Sequence, residues 1–308
     1  MSPKRAPRHK VSRRFGIDVY GTGGEALQRT STRRGITVNG TSSSGNMKDY
    51  DLIVIGAGSA GLYGALKADQ LAARVALVEG DKIGGTCPNR GCLPTKHLVT
   101  AAERYFYGQA DAFRGVVPLG SHLDFAKVMS EKEAVVQYAR KAKYNLIAAH
   151  PKIAFMEERA RLVSKETVQV GDRQLSAEKI LLATGSFPIL PEIPGLSEAA
   201  PLTSDSVQSL TTLPAKLVVI GGGEVGLEYG QLFLHFGVAV TLLEREERIL
   251  PREEPEISMT LQRYLEEEGM EIHTGVEVKE VLRAEDAKNR RVIIQKEDQA
   301  LHFDAPAL

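Results

Sequence analysis

The sequence predicts an α/β protein built from two doubly wound units in series. Three observations carry this expectation. Residues 49–85 (DYDLIVIGAGSAGLYGALKADQLAARVALVEGDKIGG) read as strand, glycine turn, helix and strand. Residues 216–246 (KLVVIGGGEVGLEYGQLFLHFGVAVTLLERE) repeat that order 165 positions later. The chain has 308 residues, 43% of them hydrophobic and 25% charged, which suits two globular domains of ordinary size.

The elements follow in order. Leu52–Ile55 is a short apolar strand, followed by a helix through about Leu71 and a second strand, Val75–Val78. Residues 92–112 and 124–150 read as helices, because apolar residues recur at three-and-four spacing with charges opposite. RARLVSKETVQVGDRQLSAEKILLATGS, from Arg159, reads as hairpin strands running into a buried strand, Lys179–Ala183. Pro188, Pro191 and Pro194 with Gly195 punctuate a connection, which places a domain boundary near 186–200 and gives domains 47–198 and 199–308. In the second unit the strand is Leu217–Ile220, the helix runs from Glu224 to about Phe236, and the next strand is Val238–Leu243.

Residues 1–46 lack periodicity and are rich in Arg, Ser, Thr and Gly, so they read as a disordered basic extension. They hold nine Lys/Arg against two acids, and the remaining 262 residues hold thirty basic against thirty-seven acidic. Such a front suits an organelle transit peptide, a flexible tail, or a start assigned too early, with Met47 just before the first strand. The expected location is cytoplasmic, with organelle targeting the minor alternative. Lys+Arg and Asp+Glu balance at 39 each, so no global field points to nucleic acid or an anionic membrane. No apolar run approaches the roughly 20 residues that span a bilayer.

The two glycine turns have a shared logic. In Gly56-Ala57-Gly58-Ser59-Ala60-Gly61, the first glycine allows the tight turn, the second lets backbone approach a pyrophosphate, and the third lets helix pack on strand. Phosphates would sit at the helix N-terminus, where free N–H groups and the dipole attract anions. Glu79 closes the second strand, where a carboxylate accepts from ribose hydroxyls. The later loop has Gly221, Gly223 and Gly226, with Glu244 at the strand end. A carboxylate there favours NAD, since a 2′-phosphate would meet like charge, although Arg245 and Arg248 lie close behind and could receive that phosphate. Two Rossmann-like sites suggest two dinucleotides, a nicotinamide that gives hydride and a flavin that accepts it.

GGTCPNRGCLPTK, residues 84–96, holds both cysteines of the chain, Cys87 and Cys92. They follow the first unit closely and so fall near the carboxyl edge of its sheet. Gly84-Gly85 allows close backbone approach to a cofactor. LPTKHLVTAAERYF reads as a helix, which puts the pair near a helix N-terminus and predicts lowered thiol pKa values. Three other readings stand beside redox chemistry: inert buried thiols, a zinc site with His97 that lacks a fourth ligand, and a static disulfide closing a small loop.

In order along residues 49–308, GAGSAG, the C-x-x-x-x-C segment, LLATGS, IPG and GGGEVGLE resemble the class I flavoprotein disulfide reductases (pyridine nucleotide-disulfide oxidoreductases). That family includes dihydrolipoamide dehydrogenase, glutathione reductase, mycothione reductase and mercuric reductase. The resemblance implies an FAD domain and an NAD(P) domain. Gly56, Gly58, Gly61 and Glu79 would bind the adenosine half of FAD, with Gly85, Thr86, Thr184 and Gly185 as further FAD contacts. Gly221, Gly223, Gly226 and Glu244 would bind NAD(P)H. Cys87 would be the outer thiol that meets substrate, and Cys92 the inner thiol beside the flavin. Lys96 and Glu228 would form an ion pair near flavin N5. The implied cycle takes hydride from nicotinamide to FAD, then electrons to a Cys87–Cys92 disulfide, and then to a small-molecule disulfide or Hg(II), or in reverse from a dithiol.

VVQYARKAKYNLIAAHPKIAFMEERARLVSKETVQV and PLTSDSVQSL look most like mercuric reductases, whereas CPNRGC and Glu244 look like dihydrolipoamide dehydrogenases. Glu224 stands where some relatives have a gating Tyr. Members of the family are homodimers and run on past LHFDAPAL, through a second ATG strand to a dimerisation domain with a His–Glu pair that this chain lacks. The expectation is therefore a truncated reductase with impaired turnover, or else a non-catalytic nucleotide-binding module.

Overall fold

The structure, a computed structural model, describes residues 48–109, 120–284, 289–296 and 299–308. The basic front and residues 110–112 of the first expected long helix lie outside the described residues. A six-stranded sheet has the order β3-β2-β1-β6-β5-β4. Its strands are β1 (Tyr50–Ile55), β2 (Val75–Val78), β3 (Ile153–Met156), β4 (Ala160–Ser164), β5 (Thr167–Val170) and β6 (Arg173–Leu182). β1 pairs in parallel with both β2 and β6, as its continuous apolar run requires of a strand covered on two faces.

Alternation along β1 separates those faces. Val54 joins Leu62, Ala65 and Leu66 of helix α1 (Ser59–Gln70). Ile53 and Ile55 face the other way, onto Val168, Val170, Leu175 and Ala177 of the hairpin strands. β6 does two jobs. It begins antiparallel to β5 and ends parallel to β1, so the expected hairpin strand and the expected buried strand are one element. Its end is not buried: Leu182 is 59% exposed. A short apolar run does not by itself report whether both faces are covered.

Two helices connect α1's half to the rest: α2 (Thr86–Asn89) and α3 (Cys92–Tyr107). The long α4 (Phe125–Ala148) follows, and Asp124 caps it by accepting from Lys127 N at 3.0 Å. The second unit is a parallel sheet, β7 (Lys216–Ile220), β8 (Ala239–Leu243) and β9 (Glu271–His273), with helices α5 (Glu224–His235) and α6 (Pro255–Glu267). Pro255 starts α6 at a position that has no N–H to lose. An antiparallel sheet, β10 (Glu277–Arg283), β11 (Arg290–Lys296) and β12 (Gln299–Ala305), completes the described fold. Ala307 forms a parallel bridge to Leu217, so the last residues begin to pair with the free side of β7.

The cysteine segment's helix is part of the second unit's core. Leu98 and Ala102 of α3 and Met129 of α4 join Leu227, Leu232, Phe233 and Phe236 in one apolar cluster. Lys132 of α4 is buried beside it and donates to Gln208 O at 2.6 Å. Burial lowers its pKa from the ordinary 10.5. A lowered lysine pKa in the folded state means the unfolded chain binds more protons between the two values, so stability rises with pH across that window. Urea unfolding should show this rise as pH approaches 10.5, and Lys132→Met should flatten it.

Candidate redox and dinucleotide sites

The first glycine loop is built by close backbone contacts. Gly56 has φ +105°, and a Cβ there would overlap the Ala183 carbonyl, while Ala183 N donates to Ile55 O at 2.8 Å. A Cβ on Gly61 would overlap the Gly56 carbonyl oxygen and lie 3.2 Å from Val54 Cγ1. Gly58 bridges Gly84, and Gly84 N donates to Ala57 O at 2.8 Å. Gly85 has φ +68°, and an added Cβ would fall 2.8 Å from Gly58 Cα. The close approach at Gly84-Gly85 is therefore to the first glycine loop itself, and the cysteine segment is fixed to that loop. Thr184 and Gly185 follow β6 beside Gly56; Gly185 has φ +70° and nothing within 4 Å of a built Cβ.

Glu79 and Glu244 do the same work in the two repeats. Glu79 accepts from Ala57 N at 2.7 Å and from Asp81 N at 2.9 Å. Glu244 accepts from Gly222 N at 2.6 Å and from Glu246 N at 2.8 Å. Each carboxylate holds its own glycine loop, and its remaining lone pairs are what a ribose hydroxyl would meet. In the second loop a Cβ on Gly226 would overlap the Gly221 carbonyl, whereas nothing lies within 4 Å of one on Gly221 or Gly223. A cavity of about 410 Å³ opens at this loop, lined by Val219, Ile220, Gly221, Gly223, Val225 and Tyr229 among others. These open glycines and the N-terminus of α5 fit a dinucleotide's phosphates. Arg245 pairs with Glu246 at 3.1 Å, and Arg248 donates to Pro251 O and Glu253 O, so both have protein partners.

Cys87 lies in the one-turn helix α2, which begins at Thr86, and Cys92 opens α3; both are free and exposed. The neighbouring Cys92 side chain raises the Cys87 pKa above the ordinary 9.0. Burial and the Cys92 charge add to the rise, and Lys143 opposes it. The sequence predicts a lowered thiol, and the structure corrects this at Cys87. A single turn has little dipole, and the nearest partner is a second sulfur that repels a thiolate. Lys96 Nζ of α3 pairs with the Glu228 carboxylate of α5, which raises the lysine's pKa.

Some contributors were not legible in the motif. Asn89 Nδ2 donates to Ile83 O and Gly85 O, at 3.0 and 2.8 Å, and closes the loop that carries Cys87. Its Oδ1 accepts from Arg140 Nε of α4 at 2.9 Å. The Asn within CPNRGC is a usable turn signal, but a partner 51 residues away is not. Among the described residues no three His, Cys, Asp or Glu side chains converge on a metal position, and no helix is long and apolar enough to cross a membrane.

A profile of the pyridine nucleotide-disulphide oxidoreductases matches residues 50–306. The chain belongs to this family. FAD and NAD(P)H are the family's cofactors, and its members are oxidoreductases. The chain is 34% identical over 259 residues to a mercuric reductase of Lysinibacillus sphaericus, covering 84% of this chain and 47% of that one. It is 39% identical over 240 residues to dihydrolipoyl dehydrogenase 3 of Pseudomonas aeruginosa, covering 75% and 51%. Among solved structures it is similar to the Cu(II) complex of the HOCl-induced flavoprotein disulfide reductase RclA from Escherichia coli. The TM-score is 0.71 and the identity 29%, over 83% of this chain and 55% of that one. The chain thus spans about half the length of the relatives it matches.

Two glycines of the family motif should separate folding from binding. Gly61→Ala should cost about 1–3 kcal/mol in urea unfolding through overpacking. Gly223→Ala should leave stability within about 0.5 kcal/mol and weaken nicotinamide dinucleotide binding measured by fluorescence quenching.

Proposed function

We propose that the chain carries the redox half of an NAD(P)H-dependent disulfide oxidoreductase, with Cys87 and Cys92 as a dithiol/disulfide pair. The observation that carries this reading is the attachment of the cysteine segment to the first dinucleotide loop through Gly58, Gly84 and Gly85. Bound FAD and nicotinamide would supply hydride and electron-pair transfer. The chain's own residues do the rest. Gly56, Gly58 and Gly61 with Glu79 shape the first phosphate and ribose site, while Gly85, Thr86, Thr184 and Gly185 border it. Gly221, Gly223 and Gly226 with Glu244 shape the second.

In the reducing direction the Cys87 thiolate attacks a substrate disulfide and expels one thiolate, which takes a proton. The Cys92 thiolate then attacks Cys87 sulfur and releases the second thiol. The substrate gains two electrons and the pair becomes a disulfide. Lys96, paired with Glu228, keeps positive charge close to Cys92, where the reduced pair carries negative charge.

Among substrates, Hg(II) is favoured by the segment from Val135 to Val170, with the dithiol as soft ligands and two electrons reducing the ion. Lipoamide is the second reading, favoured by the buried Glu244, which also favours NADH over NADPH.

Thiol titration before and after dithiothreitol treatment of air-oxidised protein tests the central step. Two additional thiols should appear on reduction, and neither Cys87→Ser nor Cys92→Ser should gain any. An unchanged count in the wild type contradicts the reading. Because its pKa is raised, Cys87 should alkylate slowly in the reduced protein until pH exceeds 9.0, and a rate already maximal at pH 7 would contradict that assignment.

A further inference from the structure

Two adjacent residues of α5 grip two adjacent residues of α3. On the outside Glu228 pairs with Lys96. On the inside, Tyr229 Oη lies 2.8 Å from Thr95 Oγ1, in a buried cluster with Gln208. Thr95 Oγ1 donates to Gly91 O at 2.7 Å, and with its proton so placed it accepts from Tyr229 Oη. Gln208 Nε2 donates to Tyr229 Oη at 2.6 Å and approaches Thr95 Oγ1 at 3.3 Å. In the orientation present, Gln208 Oε1 is buried and has no partner, and the backbone oxygen of the same residue is held by Lys132 Nζ. A buried acceptor is left unsatisfied while the donor chain to Gly91 stays complete. Burial also raises the Tyr229 pKa, so the hydroxyl remains a donor at neutral pH.

The chain of donors ends one residue before Cys92. Gly91 precedes α3, and its N donates to Thr86 O at 2.7 Å, next to Cys87. The Tyr229–Thr95–Gly91 line therefore runs from the helix of the second dinucleotide loop to the backbone between the two cysteines. We propose that Tyr229 is a positioning residue for the cysteine pair, holding the first turn of α3 through Thr95 so that Cys92 is presented to Cys87. The proposal rests on the dithiol/disulfide reading above. Gln208 orients the tyrosine. The effect is on the effective concentration of one sulfur at the other, which sets how readily the ring closes.

The full chain is equilibrated with mixtures of reduced and oxidised dithiothreitol, and free Cys87 and Cys92 are counted by alkylation and mass spectrometry. Each turnover converts one protein dithiol and one cyclic disulfide into one protein disulfide and one free dithiothreitol. Tyr229→Phe keeps the ring and removes the hydroxyl. It should lower the equilibrium constant for Cys87–Cys92 disulfide formation three- to tenfold. Thr95→Val should do the same, and Thr95→Ser, which keeps the hydroxyl, should stay within twofold of the wild type. A merely structural role would move the melting temperature and leave this constant alone. Constants within twofold of the wild type for both Tyr229→Phe and Thr95→Val overturn the positioning role. If Tyr229→Phe does not fold, the contrast between Thr95→Val and Thr95→Ser decides it. A wild type that forms no disulfide at any ratio overturns the dithiol reading, and this proposal with it.

Discussion

The contact on which the rest depends is backbone against backbone: Gly58 of the first loop against Gly84 and Gly85 of the cysteine segment. A side chain at Gly85 would fall 2.8 Å from Gly58 Cα, so the approach exists only because Gly85 lacks a Cβ. Through it, the first glycine turn and the segment that carries the two thiols are joined. Asn89 closes the loop on the far side of Cys87, and Arg140 fastens Asn89 to α4. The thiols are placed by glycine geometry and an amide.

The two halves share one construction. In each, an acid at the end of the second strand takes a backbone N–H from its glycine loop and another two residues beyond itself. A carboxylate accepting such bonds organises the loop before any ligand arrives, which lowers the ordering cost of binding. The halves meet through α3 and α5, where apolar contacts of Leu98 and Ala102 lie beneath the Lys96–Glu228 pair. An exposed ion pair adds little stability, so the apolar contact holds the helices together and the pair sets local charge.

Much of this was legible from the sequence because its determinants are local. Gly56, Gly61, Gly221 and Gly226 announce their turns, and the apolar runs of β1, β2, β7 and β8 announce strands, three of them central. The cysteine segment stands out in the sequence because Cys87 and Cys92 are the chain's two cysteines. What the sequence concealed depends on tertiary partners. The pKa of Cys87 follows its neighbour's sulfur, not a helix end. The exposure of Leu182 depends on what covers β6, and the link from Thr95 to Tyr229 joins residues 134 positions apart. Family membership rests on motif order and a profile match over residues 50–306.

The account's central claim is that Cys92, and not Cys87, faces the cofactor held by the first loop. The direct measurement is the visible absorption of reduced FAD-bound Cys87→Ser and Cys92→Ser at a pH where the remaining thiol is ionised. A long-wavelength thiolate-to-flavin band should persist in Cys87→Ser and vanish in Cys92→Ser. The band in Cys92→Ser alone, or in neither variant, would contradict it.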